Sequence, residues 1–175
     1  MLERVLIAGS GGQGILLIGR ILARAGMLCV PHVTYFPAYG AEVRGGTSNC
    51  QIVLSDEEIH SPVPSQFEAM LILNQESAQR FIPRRTDSTK VILNTSLCQA
   101  PDLGPVTGIK ATDIATDLGE IRATNFIMMG AYLATNPCIP AESLEACIRK
   151  ELAGKPDAII DLNIEALEIG LNHQL

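Results

Sequence analysis

The 175-residue chain is 47% hydrophobic and 18% charged, and at roughly 150 residues per domain it predicts one domain over residues 1–175 with an ample apolar core. Thirteen Lys and Arg against nineteen Asp and Glu leave a net charge of −6, which argues against a nucleic-acid partner. Five cysteines without a C-x-x-C pair argue against a disulfide scaffold and against a zinc or iron–sulfur site built by this chain alone, and they favour a reducing, cytoplasmic setting.

The first elements predict a β-α-β unit. An aliphatic run over residues 4–8 ends at glycines and predicts a strand. Apolar residues at helical spacing over residues 15–25 predict a helix, with Gly26 at its C′ position. The β-branched and aromatic residues 32–36 predict the second strand.

A glycine-rich segment follows the second predicted strand. Residues 37–47 are too irregular for a helix or strand and predict a structured loop, after which residues 48–54 predict a third strand. A turn at residues 55–58 leads to Ile59, which could begin a short returning strand that ends at Pro62 and Pro64. This insert is therefore expected to form a β-hairpin.

The middle of the chain alternates strands and helices. Compact aliphatic runs at residues 69–73 and 90–94 predict central strands, with a short helix at residues 77–81 between them. A weaker strand at residues 106–109 precedes a helix that starts near Thr112 and closes at Gly119.

The last third is predicted to be helical. A helix over residues 123–134 is apolar but shorter than the roughly 20 residues that cross a bilayer, so it predicts a buried helix and no membrane contact. A second helix runs from Pro140 to Gly154, and Asn163 is expected to cap a third over residues 164–171. The elements together predict an α/β fold, a Rossmann-like, doubly wound, mostly parallel sheet with C-terminal helices.

A glycine loop between the first strand and the first helix is the main candidate site. It fits G-x-G-x-x-G, and its backbone N–H groups and the helix N-terminus favour a diphosphate. Close packing of strand on helix is the alternative role of these glycines. No acid lies about 20 residues further on, where an NAD ribose would need one, and no G-K-[ST] follows. Coenzyme A needs neither feature. The candidate residues are Gly9, Ser10, Gly11, Gly12, Gln13 and Gly14.

The loop after the second strand is expected at the same edge of the sheet, where both loops would share a crevice. Arg44 could grip a phosphate or carboxylate, or form only a surface ion pair. Two residues at the end of a central strand are secondary candidates, with turn formation as their alternative role. The candidates outside the glycine loop are Tyr39, Glu42, Arg44, Gly45, Gly46, Thr47 and Asn49, with Asn94 and Ser96 as the secondary pair.

Four motifs in order resemble the gamma subunit of 2-oxoacid:ferredoxin oxidoreductases, with most similarity to members acting on 2-oxoglutarate or 2-ketoisovalerate. The motifs are residues 7–14, residues 39–50, Ser55-Asp56 with Ser61-Pro62, and residues 125–131. The resemblance runs through nearly the whole chain. Ala38, Ala41 and Phe126 depart from it, since the family often has Ser, Pro and Met at these positions.

This resemblance implies a subunit that binds coenzyme A (CoA) and helps assembly but has no catalytic residue of its own. The complex would convert a 2-oxoacid, with 2-oxoglutarate expected, and CoA to acyl-CoA and carbon dioxide, and would reduce ferredoxin. Thiamine diphosphate, magnesium and [4Fe–4S] clusters are expected in partner subunits, which would be alpha, beta and, where present, a ferredoxin-like delta subunit. The alternatives are the small subunit of an indolepyruvate oxidoreductase and an independent nucleotide-binding regulatory module.

Overall fold

The structure is a computed structural model that describes residues 1–39, 47–99 and 104–173. Its strands are β1 (Leu2–Ser10), β2 (His32–Tyr39), β3 (Thr47–Ser55), β4 (Ala69–Ile72), β5 (Lys90–Asn94) and β6 (Thr107–Ile109). Its α-helices are α1 (Ile15–Gly26), α2 (Gln75–Phe81), α3 (Ala111–Asp117), α4 (Thr124–Thr135), α5 (Ala141–Glu151) and α6 (Asp157–Leu171). Short 3₁₀ turns cover Ile82–Arg84 and Ile121–Ala123.

The strands form a sheet in the order β2-β3-β1-β4-β5-β6. β1, β4, β5 and β6 pair in parallel, whereas β3 is antiparallel to both of its neighbours. The predicted mostly parallel α/β sheet is confirmed. The two strands of the first β-α-β unit are not adjacent, because β3 lies between them.

Helices cover both faces of this sheet. Along β1, Val5 and Ile7 face a core that includes residues of α1, α4 and α6. The alternate residues Leu6 and Ala8 face a second core that includes residues of α2. A strand buried on both faces reads as a continuous apolar run, which explains why residues 4–8 could be recognised from sequence.

The predicted hairpin after residue 54 is wrong. Over residues 47–55, β3 pairs with β1 on one side and β2 on the other, so neither edge is open to a returning strand. The described residues between β3 and β4 contain no strand, and Ile59 is only partly buried there. The prolines at positions 62 and 64 also lack the N–H group that a paired strand needs.

Two predicted helix boundaries are also wrong. Asn163 is not an N-cap, because α6 begins six residues earlier and the Asn163 Nδ2 donates to the carbonyl of Ile159 at 2.7 Å. Gly26 is the last residue of α1 and lacks a positive φ. A Cβ on Gly26 would overlap the side chain of Leu54, so close packing on β3 explains this glycine.

The predicted buried helix is confirmed as α4, in which residues 124–133 are all buried. It packs closely on α6 through a pair of glycines. A Cβ on Gly130 would overlap the Leu167 carbonyl, and a Cβ on Gly170 would overlap the Ile127 carbonyl. Within the described ranges, none of the helices is both long and apolar enough to span a membrane.

A buried polar cluster lies at the start of β1. Glu3 accepts hydrogen bonds at Oε1 from the Tyr132 hydroxyl at 3.0 Å and from Asn136 Nδ2 at 2.7 Å. Burial raises the pKa of Glu3 above its ordinary value of 4.5, although these hydrogen bonds act in the opposite direction. The folded chain therefore holds the Glu3 proton to higher pH than the unfolded chain does.

The raised pKa of Glu3 predicts how Glu3→Gln changes the pH dependence of the free energy of unfolding. The contribution of Glu3 is complete below about pH 4.5 and is lost as the pH rises through the raised pKa of the folded state. We therefore expect Glu3→Gln, which keeps the acceptor oxygen, to gain stability relative to the wild type as the pH rises above 4.5. Urea unfolding at a series of pH values measures the difference.

Glu68→Gln is the matched control, because the pKa of Glu68 is shifted in the opposite direction to that of Glu3. Burial would raise the pKa of Glu68, but the hydrogen bonds and charge of Arg4 outweigh it and lower the pKa. Relative to the wild type, this variant should lose stability as the pH rises from the lowered pKa of the folded state to about 4.5, and the difference should stay constant at higher pH, where Glu3→Gln gains stability. A stability difference for Glu3→Gln that does not change with pH would contradict the role given to Glu3.

Candidate functional site

The two predicted loops leave the sheet at the same edge. Ser10, at the end of β1, pairs with Thr47, and Tyr39 pairs with Ser48. The expectation of a common edge is confirmed for these anchor residues. Glu42, Arg44, Gly45 and Gly46 lie outside the described residues, and for Tyr39 only the backbone is described.

The glycine loop combines two crowded and two open positions. A Cβ on Gly9 would lie 2.6 Å from Gln13 Oε1 and 2.8 Å from Ile15 Cδ1. Gly14 has a φ of +72°, and a Cβ there would overlap the amide of Asn125. No described atom lies within 4 Å of the Cβ position of Gly11 or Gly12. Packing therefore explains Gly9 and Gly14, while Gly11 and Gly12 leave backbone accessible to a ligand.

Polar side chains of the glycine loop form hydrogen bonds that stabilise its conformation. Gln13 Oε1 accepts the backbone N–H of Ser10 at 2.6 Å, and the Ser10 hydroxyl accepts Asn74 Nδ2 at 2.5 Å. Asn74 also caps α2 by accepting the backbone N–H of Ser77. These contacts fix the loop between β1 and β4, so Ser10 and Gln13 shape the site rather than offer free groups to a ligand.

Asn125 supports the loop from α4, and the sequence pattern did not single out its side chain. It is 2% exposed, and its Nδ2 donates to the Gly14 carbonyl at 3.3 Å. Among the described residues, its buried Oδ1 has no hydrogen-bond partner. A buried amide oxygen without a donor carries a free-energy cost of about 1–3 kcal/mol, so this atom is a candidate to accept a ligand hydrogen bond.

Two cavities flank Gly12. The larger, about 340 Å³, lies beside Gly14 and is lined by parts of α1, α4 and α6. The smaller, about 210 Å³, is lined by Gln13, Leu97, Thr112, Ile121 and Thr124. Gly12 and Arg122 contribute to both cavities. An extended ligand across Gly12 could therefore enter both.

Three charged side chains line the larger cavity, and they are Arg122, Lys155 and Glu120. Arg122 donates to Glu120 from Nε at 2.9 Å and from Nη2 at 2.7 Å. This guanidinium lowers the pKa of Glu120 to about 2, so the carboxylate is ionised at neutral pH. The lining of this cavity therefore carries two cations and one carboxylate, in a chain of net charge −6.

The secondary candidates Asn94 and Ser96 form hydrogen bonds with other residues of the fold. Asn94 is buried and donates to the Leu73 carbonyl and to Thr112 Oγ1, while its Oδ1 accepts the backbone N–H of Ser96 at 3.3 Å. The Ser96 hydroxyl accepts the backbone N–H of Asp113. These bonds correspond to the turn-forming alternative considered for both residues.

At the start of β3, the structure adds a cation that the sequence analysis did not include. Arg80 Nη1 on α2 donates to Thr47 Oγ1 at 2.7 Å, which brings an exposed guanidinium to the anchor of the second loop. Asn49, two residues along β3, is 7% exposed. Thr47 is therefore held by a side chain 33 residues away, a distance that no local pattern reveals.

The thiols of this chain are free, and burial raises the pKa of four of them, Cys50, Cys98, Cys138 and Cys147. Burial raises the pKa of Cys50 to about 12 and that of Cys98 to about 11. All five cysteines are free thiols. In the described part of the chain, no group of three or more His, Cys, Asp and Glu side chains is arranged to hold a metal ion.

Comparisons with known proteins agree on one family. The model for pyruvate ferredoxin/flavodoxin oxidoreductase matches residues 4–173. The ketoisovalerate oxidoreductase subunit VorA of Methanothermobacter thermautotrophicus is 39% identical over 95% of this chain and 35% of its own length. The 2-oxoglutarate synthase subunit KorC of Archaeoglobus fulgidus is 33% identical over 95% of this chain and 84% of KorC. The indolepyruvate oxidoreductase subunit IorB of M. thermautotrophicus is 31% identical over 95% of this chain and 94% of IorB.

Solved structures show the same fold. A 2-oxoglutarate:ferredoxin oxidoreductase from Magnetococcus marinus, with 2-oxoglutarate, coenzyme A and succinyl-CoA bound, superposes with a TM-score of 0.88 at 23% identity. The match covers 97% of this chain and 30% of that one. The keto/oxoacid ferredoxin oxidoreductase gamma subunit of Geobacter sulfurreducens superposes with a TM-score of 0.78 at 25% identity, over 96% and 95% of the two chains. The chain thus spans about a third of VorA but nearly all of the gamma subunit.

Proposed function

Because the chain belongs to the pyruvate ferredoxin/flavodoxin oxidoreductase family, we propose that it is the gamma subunit of a 2-oxoacid:ferredoxin oxidoreductase and binds CoA. The complex oxidatively decarboxylates a 2-oxoacid, transfers the acyl group to CoA and reduces ferredoxin. Residues 1–175 act as one domain of this complex. We place the complex in the cytoplasm, which agrees with five free thiols.

The observation that carries the CoA assignment is the open backbone of Gly11 and Gly12 in the loop before α1, where Gly12 lines two cavities. A diphosphate on this loop would receive backbone N–H groups and the positive end of the helix dipole. The two arms of CoA would then extend to either side of Gly12. In the M. marinus relative, CoA is bound by a protein that shares this fold.

The role of this chain is to hold one reactant for chemistry performed elsewhere. Thiamine diphosphate in a partner subunit would supply the decarboxylation chemistry, and iron–sulfur clusters in partner subunits would carry the electrons. This chain would hold the CoA diphosphate, so the thiol at the far end of the pantetheine arm reaches the partner in a fixed geometry. Such positioning lowers the entropic cost of bringing two reactants together.

The proposal also names the 2-oxoacid that serves as substrate. We keep 2-oxoglutarate as the first substrate, since KorC aligns over most of its length, with 2-ketoisovalerate next because VorA is 39% identical. IorB is 31% identical over 94% of its length, which supports the small subunit of an indolepyruvate oxidoreductase as the alternative function. If thiamine lies in the partner, the partner also selects the oxoacid, so substrate assays must use the whole complex.

Anaerobic purification of the tagged chain from its native host tests the proposal. We expect co-purifying subunits that carry thiamine diphosphate and iron–sulfur clusters, among them alpha and beta subunits and, where present, a delta subunit. The preparation should reduce viologen, and ferredoxin, only when both a 2-oxoacid and CoA are supplied. Rates with 2-oxoglutarate, 2-ketoisovalerate and indolepyruvate identify the substrate. Recovery of a lone, inactive chain that binds free nucleotides would favour the independent regulatory module instead.

A further inference from the structure

We propose that a third cavity, at the opposite edge of the sheet from the glycine loop, receives a segment of a partner subunit that carries a Lys or Arg side chain beside apolar residues. This inference rests on the proposed function, because a partner subunit exists only if the chain belongs to a complex. The cavity lies where β1 begins and β3 ends, and we call it the opposite-edge cavity. At about 690 Å³, it is larger than either cavity beside Gly12.

The segment between β3 and β4 forms one wall of the opposite-edge cavity, with lining residues drawn from residues 56–65. The Ser55 hydroxyl accepts the backbone N–H of Glu57 at 3.0 Å, and the Ser61 hydroxyl accepts the backbone N–H of Val63 at 3.3 Å. These hydrogen bonds fix the conformation of the wall. Ser55 and Ser61 also belong to a motif of the family resemblance for which CoA binding gives no role, and shaping this cavity explains them.

Apolar side chains with large exposed fractions line the same cavity. Met1, Leu2 and Val63 are 46%, 52% and 45% exposed, and Val53 of β3 lies in the lining beside them. Exposed apolar side chains that cluster next to polar groups are typical of a surface that contacts another protein. A partner segment with apolar residues would remove these side chains from water.

The carboxylates of the cavity outnumber the cations that can balance them. Asp56 pairs with the amino group of the chain, and Arg4 pairs with Glu68 at the edge of the lining. Glu57 and Glu58 also line the cavity, and both are exposed. In the described part of the chain, no Lys, Arg or His lies within ion-pair distance of these two carboxylates. A Lys or Arg of a partner would supply the missing positive charge.

The same two carboxylates argue against a second copy of this chain as the occupant. A symmetric contact between two copies uses the same face twice, so it would set Glu57 and Glu58 of one copy near those of the other. Like charges that face each other in an interface oppose association. A partner of different sequence avoids this repulsion.

The position of the cavity also suits a contact within a larger complex. In the M. marinus relative, the region that matches this chain makes up 30% of the polypeptide, so the domain is joined there to further protein. As a subunit, the domain needs a surface of its own for contact with further protein. Docking at the opposite-edge cavity leaves the glycine loop, at the other end of β1, accessible to CoA.

Charge reversal tests this docking in the complex purified from its native host. We expect Glu57→Lys combined with Glu58→Lys to reduce the partner subunits recovered with the tagged chain about tenfold or more, because it sets like charges against the partner's cation. Glu57→Gln with Glu58→Gln should cause a smaller loss. The matched control is Glu165→Lys with Glu168→Lys, which makes the same charge change at exposed positions of α6 outside the cavity lining. Recovery with the charge-reversed chain equal to that with the control would overturn the proposal.

Photo-crosslinking identifies the occupant without disturbing the two carboxylates. Val63 is replaced by p-benzoylphenylalanine, the complex is irradiated, and the crosslinked peptides are identified by mass spectrometry. We expect a peptide of a partner subunit that contains Lys or Arg. A product that joins two copies of this chain, a partner peptide without a basic residue, or the absence of any crosslink in the intact complex would contradict the assignment.

Two further observations separate docking from folding and from the proposed function. The Tm of the isolated charge-reversed chain should stay within about 2 °C of the wild type, because substitutions at exposed, unpaired positions change stability little. If its Tm falls further, the crosslinking result at Val63 decides. If the wild-type chain recovers no partner subunit, the proposed function fails. If partners are recovered equally with the wild type and the charge-reversed chain, only the docking proposal fails.

Discussion

Replacing Gly12 by Asp is expected to raise the KM for CoA by about tenfold or more in the assembled complex. Gly12 has a φ of +90°, and the space at its Cβ position is open, so the new carboxylate would lie in the region proposed for the diphosphate. Two like charges about 6 Å apart repel by roughly 3 kcal/mol at an effective dielectric constant of about 20, before screening by salt. Tenfold weaker binding corresponds to about 1.4 kcal/mol, so even a strongly screened repulsion produces it.

Gly12→Asn separates charge from shape. Asparagine has nearly the size of aspartate and tolerates a positive φ better than most residues, but it carries no charge. We expect a KM for CoA within about threefold of the wild type for this variant, since it lacks the repulsion. Similar KM values for the two variants would mean that no anion binds beside Gly12. Because a charge effect is screened, the gap between the variants should also narrow at high salt.

Replacing Gly130 by Ala is expected to destabilise the chain by about 2 kcal/mol. Alanine favours a helix over glycine by about 1 kcal/mol, which alone would stabilise α4. The new methyl group, however, would overlap backbone atoms of α6, and overpacking of this kind costs up to about 3 kcal/mol. The overlap therefore dominates. Thermal unfolding of the purified chain should show a Tm about 4–8 °C lower.

Gly11→Ala is the control for this stability measurement. Its Cβ would meet no described atom within 4 Å, and its φ is not positive, so the Tm should change little. Gly170→Ala, on the other side of the same contact, should reproduce the loss seen with Gly130→Ala, because its Cβ overlaps the Ile127 carbonyl. A higher Tm in either helix variant would show that α4 and α6 do not approach each other this closely.

Local sequence patterns predicted most of the fold. Aliphatic runs located β1, β4 and β5, and the glycine loop between a strand and a helix located the candidate site. The hairpin predicted at Ile59 was wrong because β3 pairs with β1 on one side and with β2 on the other. The sequence alone does not show which strands lie next to β3. Asn163 was misassigned because Asn is a common cap, whereas here its amide bonds back within a longer helix.

The residues missed at the site share one property, which is that they lie far along the chain from the glycine loop. Asn125 reaches Gly14 across 111 residues, and Arg80 reaches Thr47 across 33. Arg122 and Lys155 belong to no sequence motif, and only the folded structure shows that they line a cavity together with Gly12. The functions of Glu42, Arg44, Gly45 and Gly46 stay predictions, as does the extent of the domain.

The lining of the larger cavity has a consequence for how the chain is made. Its residues run from Gly12 to Asn163, so the wall contributed by α6 leaves the ribosome last. Because a domain tends to fold as a unit, the cavity forms only after α6 has been synthesised, even though the glycine loop emerges much earlier. A ligand that fills this cavity would therefore bind only after α6 has packed against α4.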